Sequence, residues 1–229
     1  VVTTWSLLYY STNDHMVTEG GFMPTKLFFE LNHDKRKKII DTTISEFSNY
    51  GYENSSTNRI VKESGISKGS LFKYFPNKED LYFYVLDNVT SELVESIEKN
   101  VHILSPELFQ RVIEYSALEF TWYIQNPEKS KLVVSAFTNS QTEIYQKTIK
   151  RYGIKELDIY YKLLEDVDFS NFRWDKEKVI DILKWFLKGF NEDFLNYISD
   201  KNYPFEYLHS KYVNRLAGYM KIIREGLLK

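Results

Sequence analysis

Apolar residues recur at three- and four-residue spacing along most of the chain, which is the period of an amphipathic α-helix. The first clear stripe is Ile40, Ile44 and Phe47. It predicts a helix that begins near Asn32 and ends near Tyr50. Nowhere do apolar and polar residues alternate in the way that marks a half-buried strand. The pattern therefore predicts an all-α protein of about nine helices.

Two short helices joined by a tight turn are predicted between residues 57 and 75, and the rest of the chain is organised around them. Thr57 is a residue type favoured as a helix N-cap. Ser64-Gly65 then ends the first helix, where a residue that tolerates positive φ is favoured. Ser67 is placed to cap the second helix. Two helices held by such a turn form a helix-turn-helix, whose second member enters the DNA major groove.

The second of these helices is small and basic, and most of its surface is predicted to be exposed. Its inward-facing residues are predicted to be Leu71, Phe72 and Phe75. The residues predicted to remain largely outside are Lys68, Gly69, Ser70, Lys73 and Tyr74. The whole chain carries a net charge of −2, but residues 57–78 include five basic residues and one acidic residue. A basic surface on one small module is sufficient to attract phosphate.

These residues resemble the DNA-binding domain of TetR/AcrR-type transcriptional regulators. The resemblance covers residues 33–85 and rests on about fifteen positions that occur in order. They read Phe47-x-x-Tyr50-Gly51-Tyr52, then Thr57-x-x-Ile60-Val61-x-x-Ser64-Gly65-Ile66-Ser67-x-Gly69-x-Leu71-Phe72-x-Tyr74-Phe75-x-x-Lys78-x-x-Leu81. Beyond residue 85 the resemblance is one of architecture alone.

The resemblance implies that the second helix reads base edges and that residues around it contact phosphates. The groove-facing residues it implies are Lys68, Ser70, Lys73 and Tyr74, with Gly69 letting the helix backbone lie close to DNA. The phosphate contacts it implies are Thr57, Ser67, Tyr74 and Lys78. Structural interpretations remain open beside these, since Thr57 and Ser67 are good caps and Lys78 suits a solvated surface.

The remaining helices are predicted from further stripes and from their start and stop signals. The predicted ranges are about 78–99, 105–125, 127–137, 140–166, 176–199 and 205–227. Asn77 is a favourable N-cap for the first of them. The chain is predicted to divide into a DNA-binding domain, residues 23–81, and a ligand-sensing and dimerisation domain, residues 82–229. This division is functional, because a continuous helix crosses it.

Residues 1–22 show no sustained helical period, and they precede Met23-Pro24, which has the character of a natural start. They are predicted to be a tag, a linker or a mis-assigned start. An arm that touches DNA is the other interpretation. Against that interpretation stands the absence of any Lys or Arg from the stretch.

The last two predicted helices carry apolar residues on a second face as well as on the core stripe. These residues are Ile182 and Trp185 in one helix, and Val213 and Met220 in the other. The resemblance implies that the two helices pair with their copies in a homodimer, as a two-fold DNA reader requires. A larger monomeric core is the alternative interpretation of the same residues.

An aromatic-lined pocket for a small-molecule effector is predicted among the central helices, since aromatic residues make up 17% of the chain. Its candidate residues are Tyr115, Glu119, Phe120, Trp122, Tyr123, Phe137, Tyr145, Trp185 and Phe186. The carboxylate of Glu119 suits a cationic or hydroxylated ligand. The alternatives are a plain aromatic core and a solvated Glu119 at its edge, because charged residues are seldom fully buried.

Other classes of function find little support in the composition. The chain has no cysteine, which excludes thiol catalysis and Cys-ligated zinc, and no catalytic residue, metal or cofactor is predicted. Glu206-x-x-His209 is one copy of a spacing that di-iron bundles need twice. No apolar run is long enough to span a bilayer, so a cytoplasmic protein without membrane contact is predicted.

The predicted function is that of a sequence-specific transcriptional regulator, a repressor that a small-molecule effector releases from a palindromic operator. Repression is the common mode in the family that the chain resembles. Two alternatives remain open at this point. One is an architectural DNA-binding protein without a ligand, and the other is a helical enzyme.

Overall fold

The computed structural model describes residues 24–101, 103–138, 140–152, 164, 167–198 and 203–228. Within these residues it forms ten helices and no strand, which confirms the predicted all-α fold. The helices are α1 (Lys26–Phe29), α2 (His33–Asn54), α3 (Thr57–Ser64), α4 (Lys68–Tyr74), α5 (Lys78–Val101), α6 (Leu108–Gln125), α7 (Pro127–Thr138), α8 (Glu143–Arg151), α9 (Lys176–Ile198) and α10 (Phe205–Leu227). An isolated antiparallel bridge joins Phe172 to Leu228.

Most predicted helices occur with small shifts at their ends. The helix predicted over residues 140–166 begins as α8, and most of its continuation past Tyr152 lies outside the described residues. The tag, linker or start predicted for residues 1–22 lies outside them entirely. The apolar pattern does not predict α1, which has only four residues. A helix of one turn is too short to show a period.

The end predicted for the first long helix corresponds to a break in its backbone. Gly51 has φ 68° and ψ 176°, so regular helical geometry in α2 ends at Tyr50. A backbone conformation with positive φ is one that glycine adopts at little cost. At the other end, the side chain of Asn32 accepts a hydrogen bond from the backbone N–H of Lys35, at 2.8 Å, and caps the helix.

The described residues form two compact units. One contains the described residues up to Glu92 together with Asn126–Arg151, and the other contains Leu93–Gln125 together with those from Tyr152 onward. Helix α5 therefore begins in the first unit and ends in the second. Among the described residues, no helix combines the length and the apolar character that crossing a membrane requires.

The core of the first unit is built from large side chains of α1, α2, α4 and α5. Phe28, Phe47, Leu71, Phe75 and Tyr82 are all essentially inaccessible to solvent. The rings of Phe47 and Tyr82 meet edge to face with their centroids 5.0 Å apart. Burial of such side chains contributes on the order of 1.5–3 kcal/mol each. The inner faces of α3 and α4 pack against this core, and their outer faces are exposed.

The second unit has an aromatic core between α6, α9 and α10. Phe120 and Tyr212 stack in parallel with ring centroids 4.2 Å apart. Phe194 meets both of them edge to face, at 5.4 Å from Phe120 and 5.1 Å from Tyr212. Offset and edge-to-face pairs of this kind add roughly 0.5–1.5 kcal/mol beyond the area they bury. The cluster joins three helices around one small, mainly apolar cavity.

Candidate nucleic-acid interface and effector cavity

The turn between α3 and α4 has the geometry that the sequence predicts. Gly65 lies in the left-handed region, with φ 71° and ψ 31°. Its N–H donates to the carbonyl of Lys62 at 3.3 Å, and the N–H of Ile66 donates to that of Val61 at 3.1 Å. These bonds satisfy carbonyls that the end of α3 leaves open. The predicted helix break at Ser64-Gly65 is confirmed.

The cap predicted at the start of α3 is wrong. The N-cap position is Ser56, and Thr57 is the first residue of the helix. Instead of a local hydroxyl, the buried carboxylate of Glu46 accepts from the N–H of Ser56 at 2.7 Å. Arg59 Nε also donates to this carboxylate, at 3.0 Å. A tertiary contact from α2 therefore replaces the local cap, and the guanidinium of Arg59 is used within the fold.

The cap predicted for α4 is confirmed. Ser67 Oγ accepts from the N–H of Ser70 at 3.0 Å and lies 2.8 Å from the Ser70 hydroxyl. Beyond the cap, Lys68, Gly69 and Lys73 are exposed, as predicted. Ser70 is half-buried. The outer face of α4 thus offers two ammonium groups on either side of a glycine.

Two predicted orientations on α4 are exchanged. Tyr74, predicted to face outward, is only 9% exposed, whereas Phe72, predicted to face inward, is 38% exposed. Tyr74 lies three residues after Leu71, so both side chains share the inner face of the helix. The ring of Tyr74 packs 5.9 Å from that of Phe28 in α1. The apolar side chain next to Lys73 on the exposed face is therefore Phe72.

Lys78 is engaged inside the first unit. Its Nζ donates to the carbonyl oxygen of Ser55 at 3.1 Å and lies 4.4 Å from the centroid of the Tyr52 ring. Burial lowers the pKa of its ammonium group. The Asn77 cap predicted for α5 is confirmed, because its Oδ1 accepts from the N–H of Asp80 at 2.8 Å. Lys78 thereby links the start of α5 to the end of α2.

Further basic groups lie at the beginning of α2. Lys35 and Lys38 are exposed. The ammonium of Lys38 lies beside the turn, since a Cβ added to Gly65 would be 3.7 Å from its Nζ. Lys37 instead pairs with Asp41. Lys38 thus extends the positive surface of α4 across the turn, and its proximity to Gly65 is not evident from the sequence.

Three of the predicted pocket residues line one small cavity in the second unit. The full lining is Glu119, Phe120, Tyr123, Asn191, Phe194, Leu195 and Tyr212. Glu119 is 2% exposed, which overturns the alternative of a solvated carboxylate at the core's edge. Tyr115 and Trp122 are buried on the same helix but do not line this cavity. The four lining residues from α9 and α10 were not predicted, although Phe194 and Tyr212 belong to the apolar stripes of those helices.

The other predicted pocket residues lie elsewhere. Trp185 is 70% exposed, so its assignment to a pocket is wrong. Phe137 and Tyr145 belong to the first unit, apart from this cavity's lining. Phe186 packs against Phe190, with ring centroids 5.7 Å apart. Aromatic content alone therefore does not distinguish core residues, surface residues and cavity residues.

The cavity is polar at one side and very small. Tyr212 Oη donates to Asn191 Oδ1 at 2.6 Å. Burial, and after it the Glu119 carboxylate, raises the pKa of Tyr212 well above its ordinary value. The cavity volume is about 10 Å³, which is on the order of the space that one water molecule needs. A larger ligand requires these side chains to move.

The chain is similar in sequence and in fold to known proteins. A sequence profile described as "Bacterial regulatory proteins, tetR family" matches residues 39–85. An HTH-type transcriptional regulator of Staphylococcus aureus (strain bovine RF122 / ET3-1) is 30% identical over 146 residues, which is 62% of this chain and 75% of that protein. An uncharacterized HTH-type transcriptional regulator of Bacillus subtilis (strain 168) is 32% identical over 126 residues, 53% of this chain and 63% of that protein.

Solved structures share the fold at lower identity. A TetR family transcriptional regulator from Chloroflexus aurantiacus has a TM-score of 0.64 at 20% identity, covering 90% of this chain and 99% of that one. A putative TetR family regulator from Shewanella sp. PV-4 has a TM-score of 0.61 at 20% identity, covering 85% and 98%. The family profile, the sequence relatives and the turn at Gly65 together identify a helix-turn-helix DNA-binding regulator of transcription. The chain belongs to the TetR family of bacterial regulatory proteins. The family and these relatives are regulators rather than enzymes.

Proposed function

We propose that the protein is a homodimeric repressor that binds a palindromic operator and is released from it by a small-molecule effector. The observation that carries the proposal is the exposed outer face of α4, where Lys68 and Lys73 flank Gly69. Ammonium groups can donate to guanine O6 and N7 in the major groove. The glycine leaves room for the helix backbone to approach the DNA. Family membership supports the operator and the repression.

The individual DNA contacts are proposals. Lys68, Ser70 and Lys73 are assigned to base edges, and Phe72 replaces Tyr74 as the aromatic group on the exposed face. A thymine methyl is a suitable partner for an exposed apolar ring. Thr57, Ser67, Tyr74 and Lys78 remain proposed phosphate contacts. The ammonium group of Lys78 already donates to the carbonyl of Ser55, so a phosphate contact would use its remaining hydrogens.

Dimerisation through α9 and α10 is supported by apolar side chains that face solvent in the single chain. Trp185, Tyr219 and Ile222 are 70%, 41% and 65% exposed. Gly189 and Gly218 have nothing within 4 Å of an added Cβ, so another helix can approach closely there. Exposed apolar patches of this kind mark interaction sites. Met220, predicted to face a partner, is buried in the core of its own chain.

The effector is proposed to enter the second unit at the cavity beside Glu119. Its buried carboxylate and the Tyr212–Asn191 pair supply polar partners within an aromatic wall. This lining suits a largely apolar molecule that carries a hydroxyl or a cationic group. The proposed functional division at residues 81/82 puts effector binding and dimerisation in 82–229 and DNA binding in 23–81. Helix α5 crosses that division without a break.

The test of DNA reading is selection from a random duplex library, followed by titration of the recovered duplex. A dimeric reader is expected to enrich a palindrome with half-sites roughly 34 Å apart, or a larger spacing where two dimers share one site. Its affinity should fall with salt at a log-log slope of about −0.9 per phosphate contact. Enrichment of no sequence, or of a single non-repeated half-site, would contradict the proposal.

The volume of the cavity also supports a second candidate function, that of a DNA-binding protein that takes no ligand. A space for about one water molecule is far below the ≈ 300–1,000 Å³ of typical ligand pockets. The two candidate functions differ in whether the binding of a small molecule and the binding of operator DNA affect each other. An effector that binds among α6, α9 and α10 must weaken operator binding by the same factor by which the operator weakens effector binding. A compound with the same dissociation constant in the presence and absence of operator would not be an effector.

A further inference from the structure

A short segment before the family motif is bonded to the end of the recognition helix α4. It comprises Pro24 to Leu31, includes α1, and is called the strap below. The N–H of Thr25 donates to the carbonyl of Tyr74 at 2.9 Å. The hydroxyl of Thr25 donates to the carbonyl of Lys73 at 2.7 Å. Carbonyls in the last turn of a helix have no partner within that helix, so one threonine satisfies two of them.

The strap is anchored on both sides of this contact. Phe28 is completely buried, with its ring 4.9 Å from that of Phe75 and 5.5 Å from that of Tyr84. On the other side, the guanidinium of Arg36 in α2 donates to the carbonyl of Phe29 at 2.9 Å. The strap therefore connects α4 to α2 and α5. Its position is determined by a buried ring and a charge-assisted hydrogen bond.

The strap matters because α4 is short. Seven residues make two turns, and helices of this length have little stability of their own in water. Ser67 and Gly65 fix the N-terminal end of α4, and the Thr25 contacts fix its C-terminal end. Lys73, whose carbonyl accepts from Thr25, also carries one of the exposed ammonium groups proposed to read a base. A rotation of this last turn moves that group directly.

We propose that the strap orients the recognition helix, with Thr25 as a positioning residue for base reading and Phe28 as its anchor. The proposal rests on the proposed DNA-reading function of α4. The family profile matches residues 39–85, so the strap lies outside the part of the chain that the family motif describes. The Thr25 hydroxyl acts on specificity, because base contacts depend on the orientation of α4 more strongly than phosphate contacts do.

The test compares Thr25→Val, which removes the hydroxyl at nearly constant shape, with Thr25→Ser, which keeps it. Leu27→Ala is the matched control, since Leu27 lies in the same strap with its side chain half exposed. The probes are the duplex selected by the unmodified full chain and a scrambled duplex of equal composition. Thr25→Val is expected to weaken the selected duplex about 5- to 150-fold, because each of the dimer's two recognition helices loses one hydrogen bond to its strap. Thr25→Ser and Leu27→Ala should remain within about twofold.

Binding of the scrambled duplex distinguishes positioning from damage to the fold. The proposal expects Thr25→Val to leave it within about twofold, because phosphate contacts persist. Equal losses on both duplexes, or equal behaviour of the valine and serine variants, would overturn it. Unchanged binding by Thr25→Val would overturn it as well.

A measurement without DNA tests the strap proposal independently of the proposed DNA-reading function of α4. The amide of Phe75 donates to the carbonyl of Leu71 at 2.9 Å and closes the last turn of α4. Its hydrogen exchange should accelerate about 3- to 10-fold in Thr25→Val, and it should be restored in Thr25→Ser. Unaltered exchange overturns the strap proposal even where selection yields no operator. Accelerated exchange with no enriched duplex supports the strap and contradicts the proposed function instead.

Discussion

Replacing Gly69 by alanine separates the stability of the recognition helix from its function. Gly69 is an exposed residue inside α4, and the nearest atom to a Cβ added there is Ser67 Oγ at 3.9 Å. The fold of the single chain therefore has room for a methyl group. Alanine is favoured over glycine in a helix interior by up to about 1 kcal/mol. For a protein of this size that gain raises the midpoint of thermal unfolding by about 2–4 °C.

The same methyl group is expected to impair DNA binding. If the backbone of α4 lies against the duplex at Gly69, an added Cβ holds the helix away from the groove. The base contacts proposed for Lys68 and Lys73 are then lengthened in both half-sites. Loss of one good base contact costs about 1–3 kcal/mol, so affinity for the selected duplex should fall by roughly 5- to 150-fold.

The assay pairs thermal unfolding with titration of the selected duplex. Gly65→Ala is a control of opposite sign, because the positive φ of 71° at that position strains alanine by about 1 kcal/mol and should lower the unfolding midpoint. A Gly69→Ala protein that binds the duplex as the unmodified chain does would refute the close approach. A lower midpoint for Gly69→Ala would show that this glycine serves the fold itself.

The remaining predictions concern charge, the N-terminal stretch and pH. Lys73→Ala should weaken the selected duplex by about 1–3 kcal/mol, whereas Lys78→Ala should weaken selected and scrambled duplexes alike; competition titrations on both duplexes decide. Deleting residues 1–22 should leave dimerisation and affinity unchanged, by sedimentation and the same titration. The ammonium of Lys211 donates to Tyr197 Oη at 2.6 Å and lowers the pKa of that phenol to about 8. Phenolate absorbance should therefore show one group ionising near pH 8 that moves toward about 10 in Lys211→Met. The pKa of the Tyr197 phenol is lower in the folded than in the unfolded chain. The pair's contribution to folded-state stability is therefore complete above about pH 10 and is lost as the pH falls through about 8.

The part of the site that sequence alone predicts is the part built from local interactions. Gly65, Ser67 and Asn77 act within four residues of their own positions, through a positive φ or a cap, so residue type and spacing are sufficient to identify them. The exposed ammonium groups of Lys68 and Lys73 follow from the same short helix. A helix-turn-helix is recognisable in one sequence because its decisive contacts are short in range.

Misassigned positions in the DNA-binding region depend on contacts from distant residues. Tyr74 faces inward, where its ring packs against that of Phe28. Thr57 does not cap α3, and at the start of that helix the carboxylate of Glu46 accepts a hydrogen bond from the N–H of Ser56. Neither partner is close in sequence. The pocket prediction misplaces Trp185 for a related reason. Trp185, exposed on α9, and Phe120, buried beside the cavity, are both aromatic residues on amphipathic helices, and only packing separates them.

The small volume of the cavity beside Glu119 constrains how the proposed effector release can operate. A ligand shifts an equilibrium only as far as its affinities for the two states differ. A cavity of about 10 Å³ leaves a ligand larger than water without a site in the conformation described here, so such a ligand binds only a conformation in which α6, α9 and α10 have repacked. If that conformation has a population of about 1%, the apparent affinity falls about 100-fold below the intrinsic one.

The buried pairing of Tyr212 with Asn191 contributes to the free-energy cost of opening the cavity, because separating them leaves two buried polar groups for the ligand to satisfy. A ligand that carries its own donor and acceptor offsets this cost, whereas an apolar molecule of equal size does not. On this argument, and under the effector binding proposed above, the polar groups beside Glu119 select the chemistry of the effector through the free energy of opening.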